Sequence, residues 1–302
     1  MHIPDGFLST PVWGGMGAAS APAIVWMARR AQAQMEEGRA PLLGVMGAFV
    51  FAAQMINFPV GVGTTGHLVG SALLAFTLGP ASACVVMAAI LAIQALVFQD
   101  GGVLALGANV FNMALLGVIA GYLPFHLWGS GPRRKAAIFL GAALSVLVAG
   151  LLALSELLLS GVPMPGAAVY VSLALFVMNA LLEGVITLAV IQALETLNPG
   201  WLRKPSSEGR PAMGVLALTT IILATSGFLV ASTNPDGLER LAERLGIASR
   251  MKTFWVAPLA DYNARFLTNS WLRKAAAGMA GLALIYGVCT IIGRFASRRR
   301  SA

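Results

Sequence analysis

Long runs almost free of charge leave this chain few ways to fold. They can be read at Pro11–Met27, Leu42–Phe58, Ala81–Phe98, Val103–Leu123, Ala136–Leu159, Ala168–Ala193, Met213–Ser232 and Ala275–Ile292. Each is about 17 to 25 residues, the length that crosses a hydrocarbon core of roughly 30 Å as a helix. A shorter apolar stretch, Leu68–Leu78, ends at Gly79-Pro80 and reads as a ninth, short or tilted span. Of the 302 residues 58% are hydrophobic and 11% charged, where a soluble domain carries about a quarter charged residues. The expected fold class is all-α: a polytopic membrane protein with about seven transmembrane helices in a core and a two-helix C-terminal hairpin. No positive region precedes the first apolar run, and the first basic pair, Arg29-Arg30, follows it. That is not the pattern of a cleaved signal peptide, so Met1 is expected to be the mature terminus.

Basic residues set an orientation. Arg29, Arg30 and Arg39, then Arg133, Arg134 and Lys135, then Arg203, Lys204 and Arg210, and last Arg294 and Arg298 to Arg300 fall in alternate loops. The positive-inside rule places these in the cytoplasm and Met1 outside, in a bacterial cytoplasmic membrane. The opposite loops around Phe58–Gly66, Gln99–Gly102 and Ser160–Gly166 hold no Lys or Arg. Thr233–Lys274 runs against the pattern, with Arg273 and Lys274 beside a span; the preceding loops are taken to decide. A net charge of +8 then means cytoplasmic anchoring against anionic lipid. Nothing basic is interleaved with aromatics, which excludes a nucleic-acid reading.

The polar, proline-rich segment Pro205–Pro211 divides the chain into a core, 1–204, and an accessory domain, 205–302, in which two spans flank an extracytoplasmic loop. Within that loop Asn234-Pro235-Asp236-Gly237 has turn chemistry. Leu238, Leu241, Ala242 and Leu245 follow at helical spacing, which predicts a short amphipathic helix. Cys84 and Cys289 lie inside spans, far apart, and read as small buried apolar residues.

The chain opens Met1-His2-Ile3-Pro4-Asp5-Gly6-Phe7-Leu8 and holds only three histidines. A terminal amine, the His2 amide and the His2 imidazole can close consecutive five- and six-membered chelate rings on one metal ion, a set that suits Ni(II) or Cu(II) over oxygen-preferring Mg or Ca. The alternative is a disordered terminal histidine. His67 lies in the glycine-rich break Gly61–His67, on the same side as Met1 by the topology above. Irregular backbone at membrane depth survives only where protein or a water-filled cavity satisfies it, so this loop is expected to line a site. His67 reads either as a fourth in-plane nitrogen or as a loop histidine bonded to a nearby carbonyl. His126 falls on the other side and is read as structural.

Taken together, Met1–Leu8, Phe58-Pro59-Val60 leading into Gly63-Thr64-Thr65-Gly66-His67-Leu68, Asp100-Gly101-Gly102 followed by Leu106-Gly107-Ala108-Asn109, and Asn112-Met113 resemble the nickel/cobalt substrate-specific components of energy-coupling factor transporters. Pro235-Asp236-Gly237-Leu238-Glu239 resembles the signature of their small accessory subunit, here fused behind the linker. The resemblance implies a metal held by the Met1 amine, the His2 amide and imidazole, and His67. The Pro4-Asp5 opening is more similar to the nickel branch than to the cobalt branch. It also implies a transmembrane coupling subunit and cytoplasmic ATP-binding subunits as partners, with Ni(II), or Co(II), as transported ligand.

Chemistry adds consequences. Loading must release protons, so binding should weaken as pH falls. Four in-plane nitrogens favour Ni(II) over Co(II) by geometry, while the Irving–Williams order puts Cu(II) above both. Asp5, Asn57, Thr64, Thr65, Asp100, Asn109 and Asn112 are the polar candidates to orient the ligands from behind. Glu156 and Glu183 fall inside apolar runs, where an acid is by default a functional hypothesis. Glu183, beside Asn179 and Gly184, reads as a packing or relay group, and Glu156 as that or as an acid near the outer interface. No phosphate-binding Gly-x-x-x-x-Gly-Lys-Ser/Thr loop is present, so ATP hydrolysis falls to partners and the chain itself reads as no enzyme. A proton-coupled carrier or channel for a divalent metal is the alternative; it explains the spans and Glu183 but not the unextended terminus.

Overall fold

A computed structural model describes residues 2–35, 39–61, 63–199, 210–232, 234–254 and 256–298. Helices α1 (Thr10–Gln34) and α2 (Ala40–Gln54) lead into a hairpin of β1 (Phe58–Gly61) and β2 (Thr64–Gly66), then α3 (Ser71–Leu78) and α4 (Pro80–Ile93). The last helix continues as a π-helical turn, Gln94–Phe98. After a loop, α5 (Leu106–Asn109) passes through a second π-helical segment, Val110–Leu116, into α6 (Gly117–Trp128). Next come α7 (Arg134–Leu159), α8 (Gly166–Leu197), α9 (Arg210–Ser226), α10 (Gly237–Arg244) and α11 (Ser270–Arg298).

The apolar runs are helical because a chain in lipid must pair each backbone N–H and C=O within itself. Pro11, Pro41 and Pro80 open α1, α2 and α4 in the first turn, where a missing N–H costs nothing. Among the described residues six helical stretches are long and apolar enough to cross a membrane: Pro80–Phe98, Leu106–Trp128, Arg134–Leu159, Gly166–Leu197, Pro211–Leu229 and Ser270–Ser297, with α2 a shorter apolar helix. The chain is an all-α, multi-pass membrane protein. The stretch expected at Leu68–Leu78 yields α3, only 8 residues and buried on every side, about 12 Å long at 1.5 Å per residue.

The core divides into two packed groups. The outer helices α6, α7 and α8 stack in sequence, and α9 and α11 lean on α2. Small residues permit that second seam: a Cβ at Gly47 would come within 3.1 Å of the Cys289 sulfur. Both cysteines are buried and free. At one end of the bundle gather the chain's first residues, the β-hairpin, the loop 99–105 and the accessory segment that contains α10. They are joined by backbone bonds such as Ser232 N to Asn57 O and Lys252 N to Asp5 O. The expected amphipathic helix is α10, with Leu238, Leu241 and Ala242 buried and an Asp236–Glu239 capping box. The proposed 204/205 boundary lies outside the described residues.

Candidate metal centre

The chain's first described residues are stitched into the loop between α4 and α5. Ile3 N–H donates to Asn109 Oδ1 at 2.8 Å, and Asn109 Nδ2 donates back to Ile3 O at 3.0 Å. The Gly102 N–H joins the same carbonyl at 2.9 Å. Asp5 accepts backbone N–H bonds from Val103, Leu104 and Ala105 at 2.9, 2.8 and 3.1 Å, a carboxylate set at the N-terminal end of α5 where helix N–H groups point outward. The approach is close enough to require glycine. A Cβ at Gly102 would strike Asp5, and Gly101, at φ +93°, would bring one to 3.2 Å from the His2 Cβ.

His2 is thereby fixed in a buried pocket. Its Nδ1 lies 3.1 Å from Asp100 Oδ1, and its buried Nε2 has no hydrogen-bond partner among the described residues. Asp100 takes a second bond, on Oδ2, from the hydroxyl of Tyr262. That tyrosine belongs to the accessory segment and is stacked on Phe98, with ring centroids 4.8 Å apart. The Gln94 Nε2, from the π-helical turn, reaches the Tyr262 hydroxyl at 3.3 Å and Gln54 Oε1 at 2.9 Å.

His67 arrives from the hairpin. Phe58 pairs with Gly66 and Pro59 with Thr65, so the glycine-rich break is folded backbone with its own partners. Thr65 N–H donates to Pro235 O at 2.9 Å and its hydroxyl to Asn234 O at 3.0 Å, and a single parallel β-bridge joins Thr65 to Asp236 of the accessory segment. The His67 Nδ1 contacts Leu68 O at 3.0 Å; as a donor, it leaves the ring's lone pair on Nε2. The His2 and His67 rings lie parallel within 6°, with centroids 5.5 Å apart.

The charges suit a cation-binding pocket. Burial, with the His2 ring close by, pushes the His67 imidazole down to about 3, so it is neutral and able to ligate near pH 7. Burial alone would raise Asp100, but the His2 ring and the Tyr262 hydroxyl hold its carboxyl below the usual carboxylate range. Asp236 also ends below that range despite its burial, with the Glu239 amide donating to it. Burial and the Asp100 charge push the Tyr262 phenol well up.

Of the sequence candidates, the structure brings together His2, His67, Asp5, Thr65, Asp100 and Asn109. Thr64 is buried in β2 beside them. Met1 lies outside the described residues. Asn112 is engaged elsewhere, donating to Glu156 Oε2 at 2.9 Å. Asn57 lines a separate cavity of about 470 Å³ with Asn234, Glu239 and Glu243. Sequence reasoning missed Tyr262 and Gln94 and gave Asp236 and Asn179 no place here. The Asp236 signal was present in the turn motif before α10, while nothing local marks Tyr262, 162 residues from the carboxylate it serves.

Fold and site define a class: a multi-pass helical membrane protein with two facing imidazoles held in a buried pocket at one end of its bundle. Residues 2–201 match the cobalt uptake substrate-specific transmembrane region family, CbiM, and residues 210–298 match the PDGLE domain. The chain therefore belongs to the CbiM family, among the nickel and cobalt transport proteins. It is 31% identical to the putative fused nickel transport protein NikMN of Archaeoglobus fulgidus, across 98% of this chain and 99% of that one. It is 33% identical to the probable fused nickel transport protein LarMN of Lactiplantibacillus plantarum, across 81% of each. A crystal structure of a truncated transition metal transporter superposes with a TM-score of 0.58 at 35% identity, covering 65% of this chain and 99% of that one.

Proposed function

We propose that this chain is the substrate-specific subunit of an ATP-driven nickel importer of the energy-coupling factor type. In this reading it takes Ni(II), with Co(II) a poorer fit, at an extracytoplasmic chelate. The observation that carries it is the pair of buried parallel imidazoles of His2 and His67, 5.5 Å apart, at the start of a chain whose fused relatives are named nickel transport proteins. The donors are the Met1 amine, the ionised His2 amide, the His2 imidazole and His67. Four such nitrogens suit a tetragonal site, which would favour Ni(II) over Co(II), so discrimination against Cu(II) would rest on its availability.

Domain roles follow. Residues 1–204 form the metal-binding core and 205–302 the accessory domain. The N-terminus faces outward and the C-terminus inward across a bacterial cytoplasmic membrane, with a transmembrane coupling subunit and cytoplasmic ATP-binding subunits supplying the cycle. Glu183, the residue that lent weight to a proton-coupled carrier, has both oxygens on backbone amides, which removes the need for a relay.

Equilibrium binding of Ni(II), Co(II) and Cu(II) to the purified chain tests the chelate. Inserting one glycine between Met1 and His2 breaks the consecutive rings, and His67→Ala removes the fourth nitrogen. Each change is expected to lower nickel affinity by roughly a hundredfold or more, the upper range for disturbing a site's ligand geometry. Undiminished nickel affinity in both variants would falsify the chelate. Uptake by vesicles lacking the ATP-binding partner is expected to stop, and full uptake without it would favour the carrier.

A further inference from the structure

We infer that Glu183 is a positioning residue for His67: from the middle of α8 it holds the ligand-bearing loop in place. The inference rests on the metal-centre reading above. Glu183 is fully buried. Its two oxygens accept the consecutive backbone N–H groups of Val69 and Gly70, each at 2.7 Å, two and three residues beyond His67. Gly70 adopts φ +78° as the residue before α3, and a Cβ there would press into Val50 at 2.5 Å. The Val69 carbonyl is taken in turn by Gln54 Nε2 at 2.7 Å. One helical turn earlier on α8, Asn179 Nδ2 reaches His67 O at 3.4 Å, and its carboxamide occupies the space a Cβ on Gly66 would need. Residues four apart share a helix face, so α8 grips the segment 66–70 on both sides of its imidazole.

The chemistry of the grip explains the choice of an acid. Two N–H groups side by side need two acceptors, and only a carboxylate offers them at once; a glutamine would turn its NH2 toward one of the donors. A charged acceptor also makes the shorter and stronger bond. An acid is costly at membrane depth, and a loop that merely joined two helices would not require one. A loop that must present an imidazole within tenths of an ångström does. The far end of α8 carries Glu195, paired with Arg134 of α7. The helix that fixes His67 is therefore itself tied to α7 at its far end.

Glu183→Gln, Asn179→Ala and Glu156→Gln, each alone and with His67→Ala, are compared in the full chain for nickel affinity and for melting temperature in detergent. Glu156, the other buried acid in a membrane helix, serves as control because its partner is Asn112. Expected are a roughly tenfold loss of affinity for Glu183→Gln, within the range for groups that orient metal ligands, and less than about twofold for Glu156→Gln. With His67 already removed, the Glu183→Gln loss should shrink below about twofold, since residues acting through one another are not additive. Wild-type affinity in a folded Glu183→Gln protein, or an equal loss with and without His67, overturns the inference. Should Glu183→Gln not fold, the same cycle with Asn179→Ala decides it, a loss of about threefold that disappears with His67 supporting the inference and an additive loss or none overturning it. Wild-type affinity in His67→Ala itself would instead overturn the metal-centre reading, a separate outcome.

Discussion

His67 shows what burial does to a candidate ligand. Its folded pKa of about 3 lies below the ordinary 6.5, chiefly through desolvation, so between those values the unfolded chain binds the extra proton. Stability contributed by the neutral ring is complete above about pH 6.5 and declines as pH falls from there toward 3. At pH 5 this amounts to about 2 kcal/mol. Melting temperatures of the metal-free protein at pH 7 and pH 5 should therefore differ more for the wild type than for His67→Gln; an equal drop in both would mean that the ring titrates normally. The same neutrality means that His67 releases no proton when metal loads, and the pH dependence of binding falls to the other donors. Nickel affinity should drop by about ten- to a hundredfold for each unit of acidification below neutrality as one or two protons are displaced. A pH-independent affinity would exclude an ionised amide. At His2 the chelate requires Nδ1, the ring nitrogen that closes a six-membered ring with the residue's own amide. In this structure that atom faces Asp100 at 3.1 Å, so in the proposed chelate loading would exchange a carboxylate for the metal.

Two π-helical segments border the site, and each places one of its supports. Gln94 opens the first and links Gln54 to Tyr262. Asn109 directly precedes the second and clamps Ile3 through both ends of its carboxamide. Such insertions are common where a helix must turn a side chain toward a functional position. Asn109→Ala strands the buried N–H of Ile3, whose carbonyl keeps the Gly102 N–H, at about 1 to 3 kcal/mol for the unsatisfied group. Nickel affinity is expected to fall roughly tenfold or more, measured by competition with a chromogenic chelator, with the other helices intact by circular dichroism. An unchanged affinity would show that Asp5 alone fixes the terminus. Part of this was legible beforehand: Asp5, Asp100 and Asn109 are among the seven polar candidates the sequence offers without ranking them, and the helices follow from uninterrupted apolar runs long enough to span as helices. The hairpin at Phe58–Gly66 and the π-helical turns were not, because both depend on which distant backbone groups come to lie alongside. Glu183 was visible as costly, but its purpose was not, since a side chain bonded to main-chain N–H groups leaves no partner residue type in the sequence to search for.

The accessory segment completes the pocket in the whole molecule. It forms a single β-bridge at Asp236 with Thr65, lays Lys252 N–H on Asp5 O, and bonds Leu259 N–H to Val97 O. Tyr262 from this segment is seated between Phe51 and Phe98 at centroid distances of 6.1 and 4.8 Å. There Asp261 and Tyr262 hold positive φ values of 55° and 54°, a conformation costing of order 1 to 3 kcal/mol for a residue other than glycine. Ring packing and the bond to Asp100 are what offset that cost, and they aim the hydroxyl at the carboxylate that faces His2. Tyr262→Phe keeps the packing and removes only the bond. Asp100 Oδ2 then loses its donor, and the carboxylate closes harder on His2 Nδ1, the atom the proposed chelate would use. A hydrogen bond to a charged group contributes about 1.5 to 3 kcal/mol, so nickel affinity should fall roughly tenfold or more while the melting temperature falls by only some degrees, about 2 to 4 °C per kcal/mol lost. If affinity stays at the wild-type level, the segment covers the pocket without tuning it; if affinity and melting temperature collapse together, Tyr262 acts through the fold instead of through Asp100.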